Sequence, residues 1–413
     1  MSKLALLGGE PVRKVSPPTW PIFDAEEVAA ATRVAESGKW QYGIGKEGEE
    51  LEAQFAEWIG AAHAISTING TETMTLALKA AGIGPGDEVI MPTSTFVACP
   101  LSVLLAGAVP VPVDIDPNNF SICSRATEAA ITDRTRALMP VHLYGIPADM
   151  DAMMAIGEAH DLIVLEDAAQ AQGAGWRGEK VGTIGHFGSF SFQTGKTMVS
   201  GDGGMITTDD KGLADLCRSY RQFGSPRAGA EHTYTVTGGN YRMSEFVAAV
   251  LKVQLSRVDD LIARRTASAE ILNQRLGDVP GLHPLVLDER ITRCSYLGYT
   301  LRYETEGLEG VHRDAFLKAL RAEGVPMASG YGTLVHEMPL CNGENLRPED
   351  LRRFTGRNIP AAKEGDFPNA EHARSHTTVR MVQNWLLGDR EVVEDVVRAV
   401  YKVVERIGDL KEV

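Results

Sequence analysis

Residues 162–167 read Leu162-Ile163-Val164-Leu165-Glu166-Asp167, four apolar side chains followed by two carboxylates. An apolar run this short fits a strand covered on both faces, as in sheets flanked by helices. The run is one of a series. Val89-Ile90-Met91, Val109 to Ile115 and Ala137 to Leu143 repeat it, with helical stretches between. From about residue 60 to 210 the chain therefore predicts an α/β domain with a mixed, mostly parallel sheet. Ligands of such sheets lie beyond the carboxyl ends of the strands, which puts the two acids next to the expected site. An unpaired buried charge is costly, so an acid there must be solvated, paired or functional. A cofactor with a protonated ring nitrogen would supply the pair.

Downstream the pattern changes. Ser189 to Phe192 and Gly203 to Thr208 read as two short strands joined by a loop that carries Lys196. Ser244 to about Leu276 has helical spacing, with Val247, Val250, Leu251, Leu255, Val258, Leu261 and Ile262 able to line one side. Glu391 to Ile407 sets Val392, Val393, Val396, Val397, Val400, Val403 and Val404 on one stripe, as expected of a helix closing a smaller C-terminal α/β domain. The expected organisation is a large domain over residues 25–265 and a small one over 266–413, with residues 1–24 packing on the latter.

Bulk properties narrow the function. A length of 413 residues suits two domains. A net charge of −14 argues against nucleic acid and anionic membranes, which need clustered Lys and Arg. The five cysteines are odd in number, with no C-x-x-C pair, so neither a disulfide framework nor a metal site is expected. Pro92 to Val113 lacks charge and is long enough to span a bilayer, but its four prolines favour a buried helix and strand. With no signal-like N-terminus, a cytoplasmic protein is expected.

Three motifs fail on inspection. Gly173 to Gly178 fits G-x-G-x-x-G but is followed by no helix. Gly195-Lys196-Thr197 resembles the end of a P-loop, yet its first glycine would fall on Phe190. His336-Glu337 lacks the second histidine of a metalloprotease helix. Others hold more promise. Asn69-Gly70-Thr71-Glu72 precedes an apolar helical run, and reads either as a capping box or as a phosphate-binding helix N-terminus. Lys196 lies among apolar and hydroxyl residues, Phe190 to Gly201, where desolvation would favour the neutral, nucleophilic amine.

Together, Asn69-Gly70-Thr71, Pro92 to Phe96, His142 to Gly145, Glu166 to Ala171, the Ser191 to Lys196 spacing, Gly201 to Gly204 and Asn240 to Glu245 resemble the DegT/DnrJ/EryC1/StrS aminotransferases. This is the keto-sugar and cyclitol branch of the aspartate-aminotransferase fold, fold type I of the pyridoxal-phosphate enzymes, and the resemblance covers nearly the whole chain. It implies that Lys196 holds pyridoxal 5′-phosphate as a Schiff base and serves as the catalytic base, with Asp167 on the pyridine nitrogen. It further implies Gln170 on the ring hydroxyl, Phe96 on the ring face, and Gly70, Thr71 and Ser191 on the phosphate. Asn240 would reach the phosphate of a neighbouring subunit, making a homodimer part of the site. Family members with histidine at the lysine position are dehydratases, and this chain keeps the lysine. Thr197 and Asp202 depart from the commonest family pattern beside the cofactor.

Gly8 to Arg13, Trp20 to Phe23 and Val379 to Gly388 look most like the inosose and amino-hydroxybenzoate members. The expected reaction moves an amino group from glutamine or glutamate to a keto-cyclitol or keto-sugar in natural-product biosynthesis, with Tyr331 and His336, in the segment Gly330 to His336, either facing the acceptor or belonging to the core. The alternatives are an amino-hydroxybenzoate synthase, a nucleotide-keto-sugar aminotransferase, and a non-catalytic regulator on the same fold.

Overall fold

The computed structural model describes residues 3–225, 234–342, 352, 355–356, 362–363 and 365–412. Its strands run β1 (His63–Thr67), β2 (Glu88–Pro92), β3 (Val109–Val113), β4 (Thr135–Leu138), β5 (Ile163–Asp167), β6 (Gly175–Trp176), β7 (Glu179–Lys180), β8 (Phe187–Ser191), β9 (Gly204–Thr208), β10 (Leu282–Pro284), β11 (Ile291–Arg293), β12 (Gly298–Tyr303) and β13 (Thr378–Val382). The helices used below are α1 (Ala25–Ser37), α2 (Glu47–Ile59), α3 (Gly70–Ala80), α4 (Ala98–Ala106), α5 (Ser124–Ala129), α6 (Met150–Ala159), α7 (Lys211–Arg221) and α8 (Glu245–Leu276).

Among the described residues the main sheet has seven strands in the order β1-β9-β8-β5-β4-β2-β3. Only β9 runs against its neighbours β1 and β8. The remaining pairings are parallel, so the sheet is of the expected mixed, mostly parallel kind. Val89, Ile90, Met91, Val164 and Leu165 are fully buried, which is why these segments show apolar runs and no alternation. Two runs outlast their strands. Met139, Val141 and Leu143 stay buried beyond the end of β4, and Ile115 beyond β3, because the loops there are covered too.

Helix α8 begins at its cap Ser244 and continues for 32 residues, with α1 and α2 packed against it. The expected boundary at residue 265 falls inside this unbroken helix, which serves both layers of the protein. The second layer is an antiparallel sheet, β10-β12-β13, whose apolar side chains share one core with the C-terminal helix Arg390–Glu405, itself packed on α8. That helix is rich in valine, which costs a few tenths of a kcal/mol per residue in helix propensity. Burial of Val393, Val396, Val397, Val400 and Val403 outweighs it, at about 1.5 kcal/mol or more for each side chain.

The N-terminal segment is pinned at several points. Glu323, its carboxylate buried, accepts from Ala5 N at 2.8 Å and Val12 N at 3.1 Å, and pairs with Lys402 at 2.8 Å. Arg13 pairs with Asp395 at 2.7 Å. Further on, Trp20 Nε1 donates to Thr194 O at 2.8 Å, and Gln254 Nε2 donates to Ile22 O at 3.0 Å.

Candidate active site

The parallel strands bring their carboxyl ends to one edge of the sheet, where a cavity of about 600 Å³ opens. Asp167 closes β5 and lines this cavity. Consecutive strand residues face opposite sides, so its neighbour Glu166 points away. Glu166 is fully buried and accepts from His142 Nε2 at 2.9 Å and from the N–H groups of Gly182, Ile184 and Gly185 at 2.7, 2.8 and 2.6 Å. His142 Nδ1 accepts from Ala148 N, so the ring proton sits on Nε2. Glu166 is thereby saturated within the protein. Among the described residues Asp167 accepts only from the Cys99 thiol at 3.0 Å and Ala169 N at 3.1 Å, neither of which carries charge. Burial, then the adjoining carboxylate, push the Cys99 thiol up and keep it a donor.

The wall opposite is the start of α3. Asn69 caps it, its side chain accepting from Glu72 N at 2.8 Å. The reciprocal half of the expected capping box is missing, and Glu72 Oε2 is buried without a partner. Gly70 and Thr71 therefore present an open helix N-terminus to the cavity. No larger residue fits at 70, since a Cβ there would lie 2.6 Å from Ser191 Cβ at the end of β8.

Lys196 rises from the loop between β8 and β9. Thr194 N donates to Gly201 O at 3.0 Å, Lys196 N to Gln193 O at 2.8 Å, and the Thr197 hydroxyl to Gln172 Oε1 at 2.5 Å. Its Nζ lies 5.9 Å from the centre of the Phe96 ring, which is half exposed at the cavity mouth. Burial pulls the amine below the ordinary lysine range; Asp167 and Cys99 oppose the shift and Arg380 adds to it.

Gln170 accepts from Tyr144 N at 3.0 Å and donates to the Tyr331 hydroxyl at 2.8 Å. The Tyr144 and Tyr331 rings stack 6.2 Å apart. Gly70, Thr71, Phe96, Asp167, Gln170, Ser191, Lys196 and Tyr331, named from sequence, thus all line one cavity. Two others do not. Asn240 is exposed on the surface and paired in a bridge with Gln222. His336 is buried elsewhere, hydrogen-bonded through Nδ1 to Thr93 Oγ1 at 2.7 Å and stacked on Phe367, because its segment folds behind the loop after β2.

Sequence reasoning missed Arg380 and Tyr144. Arg380 extends from β13 into the cavity with its guanidinium 4.9 Å from the centre of the Tyr144 ring. It donates to Leu297 O at 3.1 Å, and its Nε is buried without a partner. The available signal was a single arginine in the apolar strand Thr378-Val379-Arg380-Met381-Val382. Tyr144 lies within the His142 to Gly145 motif, and a left-handed backbone, φ 58°, places it.

No helix among the described residues is long and apolar enough to cross a membrane. A model of the DegT/DnrJ/EryC1/StrS aminotransferase family matches residues 21–354. The chain is 35% identical over 425 residues to the L-glutamine:2-deoxy-scyllo-inosose aminotransferase of Micromonospora echinospora, over the full length of both. It is 36% identical to the Streptomyces fradiae protein of the same name, over 99% of each. The solved structure of 3-amino-5-hydroxybenzoic acid synthase superposes with a TM-score of 0.84 at 32% identity, covering 96% of this chain and all of that one. Likeness of this extent, over a shared topology, makes the kinship plain: the chain belongs to the DegT/DnrJ/EryC1/StrS aminotransferase family.

Proposed function

We propose that this aminotransferase works with pyridoxal 5′-phosphate bound at Lys196 and transfers the amino group of glutamine to a keto-cyclitol. The observation that carries the reading is the pairing, in one cavity, of a desolvated amine at Lys196 with a carboxylate at Asp167 that has no cationic hydrogen-bond partner among the described residues. The residues suit the cofactor. Asp167 offers the negative charge that a protonated ring nitrogen needs. Phe96 offers an exposed ring for its face, and Gln170, tied to Tyr144 and Tyr331, reaches the same space. Gly70 and Thr71 at the helix terminus, with the Ser191 hydroxyl, supply donors for a phosphate, and the missing Cβ at residue 70 leaves room for their close approach.

Bound there, the cofactor supplies an electron sink that stabilises negative charge on the carbon being deprotonated. The protein's part is done by few groups. Lys196, its amine biased toward the neutral form, would hold the group covalently as nucleophile, and its Nζ would then take up and give back the substrate's proton. Arg380 offers its charge to the carboxylate of the amino donor. Tyr331, held by Gln170, stands where the acceptor enters, and Asn240 serves the site of a second copy in a homodimer.

Two features support a cyclitol acceptor. Full-length relatives named for inosose amination share over a third of this sequence. Of the described side chains lining the cavity only Lys196 and Arg380 are cationic, and both have other roles in this reading, so the described lining offers no further cation to the diphosphate of a nucleotide-linked sugar. The likeness to 3-amino-5-hydroxybenzoic acid synthase favours, as a second reading, an aromatic amine as product. The deciding experiment loads the protein with cofactor and glutamine, then offers inososes, nucleotide-linked keto-sugars and amino-shikimate-type ketones in turn. Turnover of inososes alone supports the proposal, and turnover of only a nucleotide-linked or shikimate-type ketone rejects it.

A further inference from the structure

Arg265, on α8, heads the fully buried side chains of the described residues in size. Its Nε donates to Ser295 O at 2.8 Å and its Nη1 to Gln383 Oε1 at 3.2 Å, while Nη2 has no partner. Both partners are neutral. Burial, with Arg293 and Arg264 adding to it, lowers its pKa to about 9, which still leaves it charged at neutral pH. Among the described residues it has no countercharge; a buried cation so placed is destabilising, and an apolar side chain of that volume would pack at less cost. The position therefore calls for an explanation other than stability.

Its two partners lead to the candidate site. Gln383, itself buried, donates through Nε2 to Lys196 O at 2.8 Å and to Gly195 O at 3.2 Å. Ser295 donates through its hydroxyl to Gln170 O at 3.2 Å and through its N–H to Gly145 O at 2.9 Å. A side-chain amide can turn over, exchanging its oxygen and nitrogen. A guanidinium on Oε1 forbids this, because the flipped amide would set two donors against each other. Arg265, from the side opposite the Gly195 and Lys196 carbonyls, thus locks which end of Gln383 meets the main chain of Lys196.

We propose that Arg265 is a positioning residue that acts through Gln383 to hold the Lys196 backbone as a rigid pivot, so that the amine alone moves during turnover. The proposal rests on the reading of Lys196 given above. It explains why a costly charge is kept: a guanidinium has donors and no acceptor, whereas a neutral side chain that can also accept, such as glutamine, would tolerate either end of the amide.

The test compares Gln383→Glu, Gln383→Met, Arg265→Met, Arg265→Lys and the double methionine variant, each as holoenzyme. Three quantities are read: the rate at which glutamine changes the visible band of the bound cofactor, amide hydrogen exchange across Gly195–Met198, and melting temperature. Gln383→Glu separates the roles, because its carboxylate pairs with Arg265 but cannot donate to Lys196 O. The expected result is a band change slowed on the order of tenfold to a hundredfold, faster exchange at Lys196, and an undiminished melting temperature. Arg265→Lys should restore part of the rate lost in Arg265→Met, and the double variant should be no slower than the slower single.

A Gln383→Glu protein with wild-type rate and exchange overturns the proposal, as do additive losses in the double variant. Should Arg265→Met not fold, the Gln383 variants still decide. A wild-type protein that takes up cofactor and answers glutamine while the variants match it removes the positioning role alone. One that does neither removes the Lys196 reading, and this inference with it.

Discussion

Glu166 and Asp167 are adjacent on one strand, yet their carboxylates meet opposite fates: one saturated by four donors inside the protein, the other facing the cavity with two uncharged donors. The contrast separates stability from chemistry. Glu166→Ala should cost about 3–5 kcal/mol, since it strands a set of buried donors. Asp167→Asn should leave urea unfolding near wild type while slowing amino transfer on the order of a hundredfold or more. Equal destabilisation by both changes would contradict this division.

Lys196→Ala should retain the fold, because the amine makes no hydrogen bond within the described residues and its loop is held by backbone contacts. Turnover should drop by at least about a thousandfold, and the visible absorbance of the bound cofactor should disappear. Residual yellow colour in the variant would point to another lysine.

The charges around Lys196 predict the direction of two further shifts. Arg380 lowers the affinity of the amine for its proton and Asp167 raises it. In Arg380→Met the neutral amine should therefore emerge at higher pH than in wild type, and in Asp167→Asn at lower pH. Labelling of Lys196 by an amine reagent in cofactor-free protein, followed by mass spectrometry across a pH series, reads both. Profiles moving the other way would exclude these assignments.

Gly70→Ala adds one carbon where there is no space for it, 2.6 Å from Ser191 Cβ. Either α3 or β8 must move, at about 1–3 kcal/mol of stability, and the phosphate donors move with them. Cofactor titration should show at least about tenfold weaker binding, equivalent to about 1.4 kcal/mol. Unchanged affinity would place the phosphate elsewhere.

Asn240 lies outside the cavity of its own chain, and the proposed role in a second copy can be checked by mixing. Lys196→Ala and Asn240→Ala homodimers should each be nearly inactive, and subunit exchange between them should regenerate sites that carry both residues. An inert mixture after proven exchange would place Asn240 outside the site.

Much of this was open to sequence reading because the signals were local. Buried parallel strands print as apolar runs, and the acid ending β5 stands where such sheets bind ligands. What escaped depended on long-range folding. Arg380 joins the cavity from more than two hundred residues after Asp167, and no spacing rule links the two. For His336 the sequence left the acceptor side and the core both open, and the chain turns after Tyr331 and buries the imidazole against Phe367. The boundary expected at residue 265 falls within α8, and helical periodicity does not reveal which layer a helix serves.

The anchorage of the N-terminal segment has a practical side. Between Arg13 and Phe23 it crosses from Asp395 to the backbone of Thr194, two residues before Lys196, with Asn384 Nδ2 holding Pro18 O on the way. Anyone trimming the first two dozen residues to obtain a tidier crystallisation sample would cut the outer tie on the lysine loop. The resulting preparation could fold, bind and crystallise, yet give a misleadingly poor catalyst.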